Sequence, residues 1–207
     1  IEEKATGEIS AGAGLGTTGG SIQAGIRENN YLGKGISLNT NLALSSDSVQ
    51  GIFSVTNPNF NNSDKSLYGT FEVTELDKLT ISGYKNNKAG FVFGTDFEYK
   101  DDLTVGFGNS NYYEKISTNS SASATQKKQS GNYWDSFLKF NLFYDKRNQK
   151  FKANKGFLNS YRSNIPLISD NNTFTNSFES KFFTELYEDN ISTFSIYLKA
   201  SNSISDD

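Results

Sequence analysis

The stretch Gly7-Glu-Ile-Ser-Ala-Gly-Ala-Gly-Leu-Gly16 sets an apolar side chain at every second position. One face carries Ile9, Ala11, Ala13 and Leu15, and the other carries Glu8, Ser10, Gly12, Gly14 and Gly16. A period of two residues is that of a β-strand. Glycine weakens a strand because it has no side chain to pack and loses more backbone entropy on folding. The sequence therefore opens with a predicted strand that pairs poorly.

The same alternation recurs along the rest of the chain. The further predicted strands are Ile22–Ile26, Ile36–Leu44, Val49–Thr56, Ser66–Val73, Ala89–Lys100, Leu103–Gly108, Ser136–Tyr144, Gly156–Ile165, Thr173–Leu186 and Thr193–Ser203. With the opening strand they make about eleven strands of roughly ten residues, the length that a tilted strand needs to cross a bilayer. The pattern predicts an all-β, antiparallel protein.

Composition narrows the class of protein. The chain of 207 residues has 17 Phe and 11 Tyr but only 35% hydrophobic residues. That profile fits a β-sandwich or a membrane β-barrel, and no run of about 20 apolar residues provides a membrane-spanning helix. The net charge of −3 argues against a nucleic-acid partner. Because the chain lacks Cys and His, thiol chemistry and zinc sites built on these residues are excluded.

The connections between predicted strands fall into two sets. The compact set is Asn29–Lys34, Asn57–Lys65, Lys100–Asp102, Lys146–Lys155 and Glu188–Asn190, and the long set is Leu76–Lys88 and Asn109–Asp135. Within the long set, the polar segment 117–128 is predicted to be flexible. Short turns at one end and long loops at the other are typical of outer-membrane barrels. Alternation alone leaves open a soluble sheet with one solvated face.

Motifs for enzyme chemistry are weak. Gly14–Gly19 matches G-x-G-x-x-G, but a strand follows it where a dinucleotide site needs a helix. Asp101 and Asp102 are adjacent carboxylates in a predicted hairpin turn, and the basic residues of 146–155 are predicted to form a solvated turn. We therefore predict no catalytic residues, no metal site and no cofactor.

Three short strings occur in order along the chain. They are Asn29-Asn-Tyr-Leu-Gly-Lys-Gly35, Val55-Thr-Asn-Pro-Asn-Phe60, and Tyr144-Asp-Lys-Arg-Asn-Gln-Lys-Phe151 continuing through Asn154-Lys-Gly-Phe157. With the glycine-rich opening strand, they resemble the barrel of the BamA and bacterial surface-antigen family. The resemblance assigns them to the turn after strand two, the exit of strand four and the turn before strand nine. The family-motif residues are Asn30, Leu32, Gly33, Gly35, Thr56, Asn57, Pro58, Phe60, Tyr144, Asp145, Arg147 and Gly156.

The resemblance implies a transmembrane β-barrel of the Gram-negative outer membrane, here as an open curved sheet of about eleven of sixteen strands. Residues 1–207 are then expected to be the N-terminal portion of the barrel domain, without the POTRA domains and the closing strands. On this expectation Ser201–Asp207 begins the long sixth external loop.

The function implied by the resemblance is the insertion and folding of β-barrel proteins into the outer membrane. The expected partners are the outer-membrane lipid bilayer, nascent β-barrel client proteins, POTRA domains and accessory lipoproteins of the BAM complex. The first strand, Gly7–Gly16, is expected to act as a lateral gate whose backbone templates the client strand. In a second interpretation, its glycines only relieve crowding inside the barrel. The alternative functions are a translocation pore of the two-partner secretion type and a plain porin or adhesin.

Overall fold

Eleven antiparallel strands form a single sheet whose order follows the chain, β1 to β11, in the computed structural model. The structure describes residues 6–16, 19–170, 173–187 and 193–205. The strands are β1 Gly7–Gly16, β2 Gly19–Tyr31, β3 Ile36–Ser45, β4 Ser48–Asn57, β5 Lys65–Lys78, β6 Tyr84–Lys100, β7 Leu103–Thr118, β8 Gly131–Asp145, β9 Gly156–Ser169, β10 Thr173–Glu185 and β11 Thr193–Ser205. The predicted all-β architecture is confirmed.

Two short helices, α1 (Leu79–Ser82) and α2 (Ala124–Lys128), and one 3₁₀ turn, Phe60–Asn62, complete the described elements. No helix of the described part of the chain is long and apolar enough to cross a membrane. The connections after β2, β4, β6 and β8 lie at one end of the sheet, which we call the motif end because all three motif strings fall there. The connections after β3, β5 and β7 lie at the opposite end.

One face of the sheet is apolar and open to its surroundings. The strand register places Phe53 opposite Phe71, and Phe71 opposite Phe91, so that the three rings lie in one row. Their exposed fractions are 46%, 51% and 44%. Further exposed members of this apolar face are Ile9, Ile22, Ile26, Leu42, Leu44, Phe93, Phe107, Leu138, Phe178 and Phe182.

A conventional core is nearly lacking. The buried apolar residues of the described part of the chain are Val105, Ala122, Ala153 and Leu158. A soluble sheet would bury its apolar face against a second layer, whereas here that face is large and uncovered. Burial therefore does not follow the pattern of a soluble sandwich.

The other face of the sheet is polar and crowded. The ring of Tyr68 lies across Gly94 and reaches Gly108 on the next strand, so that a methyl group at Gly94 would contact the Tyr68 hydroxyl and lie 2.6 Å from the Phe107 carbonyl oxygen. By contrast, Gly69, on the apolar face, has nothing within 4 Å of an added methyl group. Side chains converge on the concave side of a curved sheet, so the polar face is the concave one.

The predicted long loops are wrong over most of their length. β5 continues to Lys78 and β6 begins at Tyr84, which leaves only α1 and Gly83 of the predicted loop Leu76–Lys88. Lys85 bridges Glu75 and Asp77 across this hairpin, with nitrogen–oxygen distances of 2.6 and 2.9 Å. The polar residues that suggested a loop instead form cross-strand ion pairs.

The second predicted loop, Asn109–Asp135, is also mostly strand, since β7 extends to Thr118 and β8 begins at Gly131. The predicted flexible segment 117–128 contains α2, which begins with a capping box between Ser123 and Gln126. The side chain of Asn119 donates to the Leu79 carbonyl oxygen at 2.9 Å, which ties this segment to α1. Local hydrogen bonds therefore organise a segment whose apolar residues are alanines alone.

The predicted sorting of connections by length is wrong as well. At the motif end the connections are residues 32–35, 58–64, 101–102 and 146–155, and at the opposite end they include 46–47, 79–83 and 119–130. Long strands replace long loops: β6 has 17 residues, whereas β1 has 10. The expected loop start at Ser201 is likewise wrong, because β11 continues to Ser205. The predicted turn Glu188–Asn190 lies outside the described residues.

We expect Gly94→Ala to destabilise the fold by about 1 to 3 kcal/mol, because the added methyl group would displace Tyr68 from a crowded site. The matched control is Gly69→Ala on the neighbouring strand. There the methyl group meets open space, and the loss of unfolded-state entropy predicts no loss of stability. Denaturant unfolding of the full-length protein in detergent measures both. Equal destabilisation by the two substitutions would contradict a crowded polar face.

Candidate functional site

The edge strand β1 is the first candidate site. It pairs with β2 from Gly7 opposite Glu28 to Gly16 opposite Gly19, and β2 is its only neighbour among the described strands. Its apolar side chains are almost fully exposed, with Ile9 at 84% and Leu15 at 96%. All ten predicted gate residues, Gly7, Glu8, Ile9, Ser10, Ala11, Gly12, Ala13, Gly14, Leu15 and Gly16, therefore lie on one strand at a margin of the sheet.

The backbone of β1 offers hydrogen-bonding groups on its outer side. In an antiparallel pair, alternate residues direct their N–H and C=O groups away from the partner strand. A row of such groups is a ready template for another extended chain. The edge can therefore accept a strand by main-chain pairing, whatever the side chains of that strand are.

The glycines of β1 differ in their surroundings. A methyl group at Gly12 would lie 3.0 Å from the Gln23 amide nitrogen, and one at Gly14 would lie 3.2 Å from the Ser21 hydroxyl oxygen. At Gly16 the nearest atom is a backbone oxygen at 3.9 Å. Relief of crowding is thus a sufficient reason for glycine at position 12 but not at position 16. At all three positions, the missing side chain reduces the cross-strand contact that β1 makes with β2.

The apolar side of this edge is shallow. Ala13, Leu15, Gly20, Ile22 and Leu44 contribute to a groove of about 740 Å³ beside the last residues of β1. Small residues on β1 and β2 leave this space open next to larger side chains on β3. A strand added to β1 would find room here for bulky apolar residues.

The first motif turn connects β2 to β3. Leu32, Gly33 and Gly35 have positive φ angles of 57°, 68° and 66°. The Asn30 side chain accepts a hydrogen bond from the Gly35 amide at 2.7 Å, and its backbone carbonyl accepts one from the Gly33 amide at 2.9 Å. The motif residues Asn30, Leu32, Gly33 and Gly35 therefore build one left-handed turn, in which glycine fits two positions without steric cost.

The second motif lies at the exit of β4, where the resemblance assigns it. Thr56 and Asn57 end the strand, Pro58 follows, and Phe60 begins a single 3₁₀ turn, Phe60–Asn62. The Asn57 side chain accepts a hydrogen bond from the Asn59 amide at 3.3 Å. Proline has no N–H to donate, which suits it to the point where the ladder ends.

The third motif connects β8 to β9 and is held by an ion pair. The Arg147 guanidinium donates to both Asp145 carboxylate oxygens, at 2.8 and 2.7 Å, and to the Lys150 carbonyl oxygen at 3.1 Å. The hydrogen bonds from Arg147 lower the pKa of the Asp145 carboxyl, and the same pair raises the pKa of Arg147. Because the carboxyl pKa is lowered, the pair stabilises the turn above the unfolded-state pKa of about 3.9 and this stabilisation is lost as the pH falls further.

Gly156 closes the third motif. Its φ of 99° lies outside the range that other residues adopt easily. A methyl group there would contact the Lys146 carbonyl oxygen and lie 2.8 Å from its carbon. Tyr144, the first residue of the motif, packs edge-on against Phe157 with ring centroids 5.4 Å apart. The contact of Gly156 with Lys146 and that of Tyr144 with Phe157 therefore hold the two ends of the motif close together at the start of β9.

Glu185 connects this turn to β10, and the sequence did not predict this role. The Lys155 ammonium lies 3.0 Å from a Glu185 carboxylate oxygen, and the Asn154 side chain also donates to Glu185. These residues lie 30 and 31 positions apart in sequence, so no local pattern relates them.

The motif turns and β1 do not converge on one pocket. The three turns lie along the motif end at β2–β3, β4–β5 and β8–β9, and β1 lies at a lateral margin. Within the described residues, no group of three or more Asp and Glu side chains is arranged to hold a metal ion. The arrangement is thus a sheet with an open edge at β1 and three turns whose conformations are fixed by hydrogen bonds and close contacts.

Such a sheet, apolar on its open face and polar on its concave face, defines the class of β-barrel-like membrane proteins. A family model for the Omp85 superfamily domain matches residues 30–204, and the chain belongs to this superfamily. The fold is similar to that of the crystal structure of BamA from Haemophilus ducreyi lacking POTRA domains 1-3, with a TM-score of 0.72 and 23% sequence identity. The match covers 99% of this chain and 42% of that chain.

We expect Gly156→Ala to be among the most damaging substitutions at the motif end, with a loss of at least about 3 kcal/mol from combined backbone strain and steric overlap. The matched control is Gly35→Ala, where φ is also positive but nothing lies within 4 Å. That control is expected to lose only about 1 to 2 kcal/mol. Denaturant unfolding of the full-length protein measures both, and a smaller loss for Gly156→Ala would contradict the close approach of Lys146.

Proposed function

We propose that this chain is the N-terminal portion, residues 1–207, of a barrel domain that inserts and folds β-barrel proteins in the outer membrane. The open edge of β1 is the observation that carries the proposal. In the proposed function, Gly7–Gly16 form a lateral gate and pair with a strand of the client protein. The proposal includes no catalytic step, metal or cofactor, because pairing and burial supply the free energy.

The dimensions of the apolar face support a place in a bilayer. On β8 this face runs from Trp134 to Tyr144, ten residues apart, which is about 33 Å along a strand. At the usual tilt of about 35–45°, it covers a height of about 25 Å, the height of the apolar band of outer-membrane barrels. Trp134 and Tyr144 would then lie in the two aromatic girdles.

The polar face supports an interior filled with side chains and water. Glu72, Lys139 and Asp96 lie on the face that also holds Tyr68, as the register shows. A lysine facing lipid near the bilayer centre costs about 2 to 4 kcal/mol, and a glutamate or aspartate costs less. Their place on the concave face avoids this cost.

The gate mechanism follows from hydrogen-bond satisfaction. In lipid, each unpaired backbone group costs several kcal/mol, so an open strand edge there gains strongly from any strand that pairs with it. The weak side-chain contact at Gly12, Gly14 and Gly16 lowers the cost of moving β1. A client strand can then be paired along β1 while the rest of its barrel forms.

The chain spans 42% of the length of the BamA structure that it matches. The proposal therefore places the remaining strands, POTRA domains and accessory lipoproteins of an assembly complex outside this chain. Client β-barrel proteins and the outer-membrane lipid bilayer are its proposed direct partners.

The pairing proposal predicts crosslinks in a regular register. Single cysteines at positions 8–16 of the full-length protein are expected to form disulfides with cysteines in the C-terminal strand of a stalled client. A shift of two residues along β1 is expected to move the crosslinked client position by two, because the side-chain period of paired strands is two. Gel mobility and mass spectrometry of the crosslinked products measure the register.

The matched controls are Phe91→Cys and Phe93→Cys, whose parent residues are 44% and 53% exposed but lie on β6, which is paired on both sides. They are expected to crosslink weakly and without register. Crosslinks only on such interior strands would show that β1 is not the pairing site.

Depletion of the full-length protein separates the proposed function from the two alternatives. We expect the levels of many outer-membrane β-barrel proteins to fall together. A two-partner secretion pore would instead cause the loss of one exported protein while other barrels stay unchanged. A plain porin or adhesin would cause neither loss, and quantitative proteomics of the outer membrane distinguishes the three results.

A further inference from the structure

A second groove lies on the apolar face, at the motif end and far from β1. It has a volume of about 530 Å³ and is formed between the ends of β6–β7 and the strands β8 to β10. Its apolar lining comes from Leu103, Leu142 and Phe178. The register places Leu142 opposite Tyr161, and Tyr161 opposite Phe178, so these side chains form one row across three strands.

The rim of this groove is polar and carries both signs of charge. Lys100, Asp101 and Lys146 line it together with Tyr144 and Asn159. The Lys146 ammonium lies 2.5 Å from an Asp102 carboxylate oxygen and 5.8 Å from the centre of the Tyr144 ring. Lys100, Asp101, Asp102 and Lys146 are all exposed at this edge.

The groove thus has an apolar part and a charged part that lie side by side along the strands. Apolar side chains lie deeper on the face, and two ammonium groups and two carboxylates lie at the turn. Tyrosine and lysine side chains at such a boundary place their polar tips in the headgroup layer of a bilayer and their apolar parts against the acyl chains.

We propose that this groove binds one phospholipid whose headgroup carries a phosphate and a primary ammonium group. Lys100 and Lys146 contact the phosphate, Asp101 contacts the ammonium, and the first methylene groups of an acyl chain lie against Leu103, Leu142 and Phe178. The inference depends on the proposed function only in requiring that the apolar face meets lipid.

The balance of charge selects this headgroup. Lys100, Lys146 and Asp101 line the groove, and Asp102 pairs with Lys146, so the rim as a whole is neutral and matches a zwitterion. A purely anionic headgroup would leave the Asp101 carboxylate facing negative charge. A quaternary ammonium has no N–H to donate to Asp101, so a choline headgroup loses the charge-assisted hydrogen bond that a primary ammonium makes. The volume lies within the range of about 300–1,000 Å³ that is usual for small-ligand sites.

The test uses the full-length protein in nanodiscs that contain equal amounts of phosphoethanolamine, phosphocholine and phosphoglycerol lipids. Native mass spectrometry after detergent release counts the lipids that remain bound. We expect the phosphoethanolamine lipid to be retained in preference to the other two. The double variant Lys100→Gln and Lys146→Gln is expected to lower its retention about fivefold to tenfold, as the loss of charged hydrogen bonds predicts.

The matched control is Lys34→Gln with Lys65→Gln, which removes the same charge from the motif end outside the groove. It is expected to leave retention unchanged. A second variant, Asp101→Asn, keeps the side-chain shape and the Lys146–Asp102 ion pair, and is expected to abolish the preference for phosphoethanolamine over phosphoglycerol.

Equal retention of the three headgroups by the unmodified protein would overturn the inference, and so would an equal loss in the control variant. Flotation of the same samples with liposomes separates this result from a failure of the proposed function. A protein that floats with liposomes but shows no headgroup preference contradicts only the lipid site. A protein that does not float contradicts the membrane placement on which both proposals depend.

Discussion

The pairing of every strand with its neighbour is the constraint on which the rest of this structure depends. The sheet has almost no buried apolar core in its described part, so the main-chain hydrogen bonds between each strand and the next, from β1 through β11, must hold it together. This arrangement is stable where both faces are covered by suitable surroundings, lipid on one side and water on the other. It also makes the margin of the sheet the place where another strand can bind, because the backbone N–H and C=O groups of an edge strand lack a partner on one side.

Glycine serves three distinct purposes within this constraint. At Gly94 it leaves room for the Tyr68 ring on the concave face, and at Gly156 it permits a backbone conformation and a close approach that other residues cannot adopt. On β1, Gly16 has neither reason, and its effect is to remove side-chain contact at the edge. The same residue type thus permits close packing in the interior of the sheet and reduces side-chain contact at its margin, which is the combination that the proposed gate requires.

Much of the architecture was predictable because apolar and polar residues alternate within each strand, and this alternation can be read from the sequence of one strand alone. Each of the eleven strands overlaps a predicted strand, and the hairpin at Asp101 and Asp102 and the connections 32–35, 58–64 and 146–155 lie at or next to predicted compact connections. The long polar hairpins β5–β6 and β7–β8 were not predictable. Their strands are held by pairs such as Lys85 with Glu75 and Asp77, and polar residues that pair across strands look like loop residues in isolation.

The sequence by itself determined the strand period, the two faces of the sheet and the turns, because each depends on residues that are close along the chain. The tertiary structure decided which glycines are crowded, how Glu185 holds the turn before β9, and that β1 lies at a margin of the sheet. It also brought Lys100, Lys146 and Phe178 to one groove. These features depend on register across several strands, and register is set only when the whole ladder is paired.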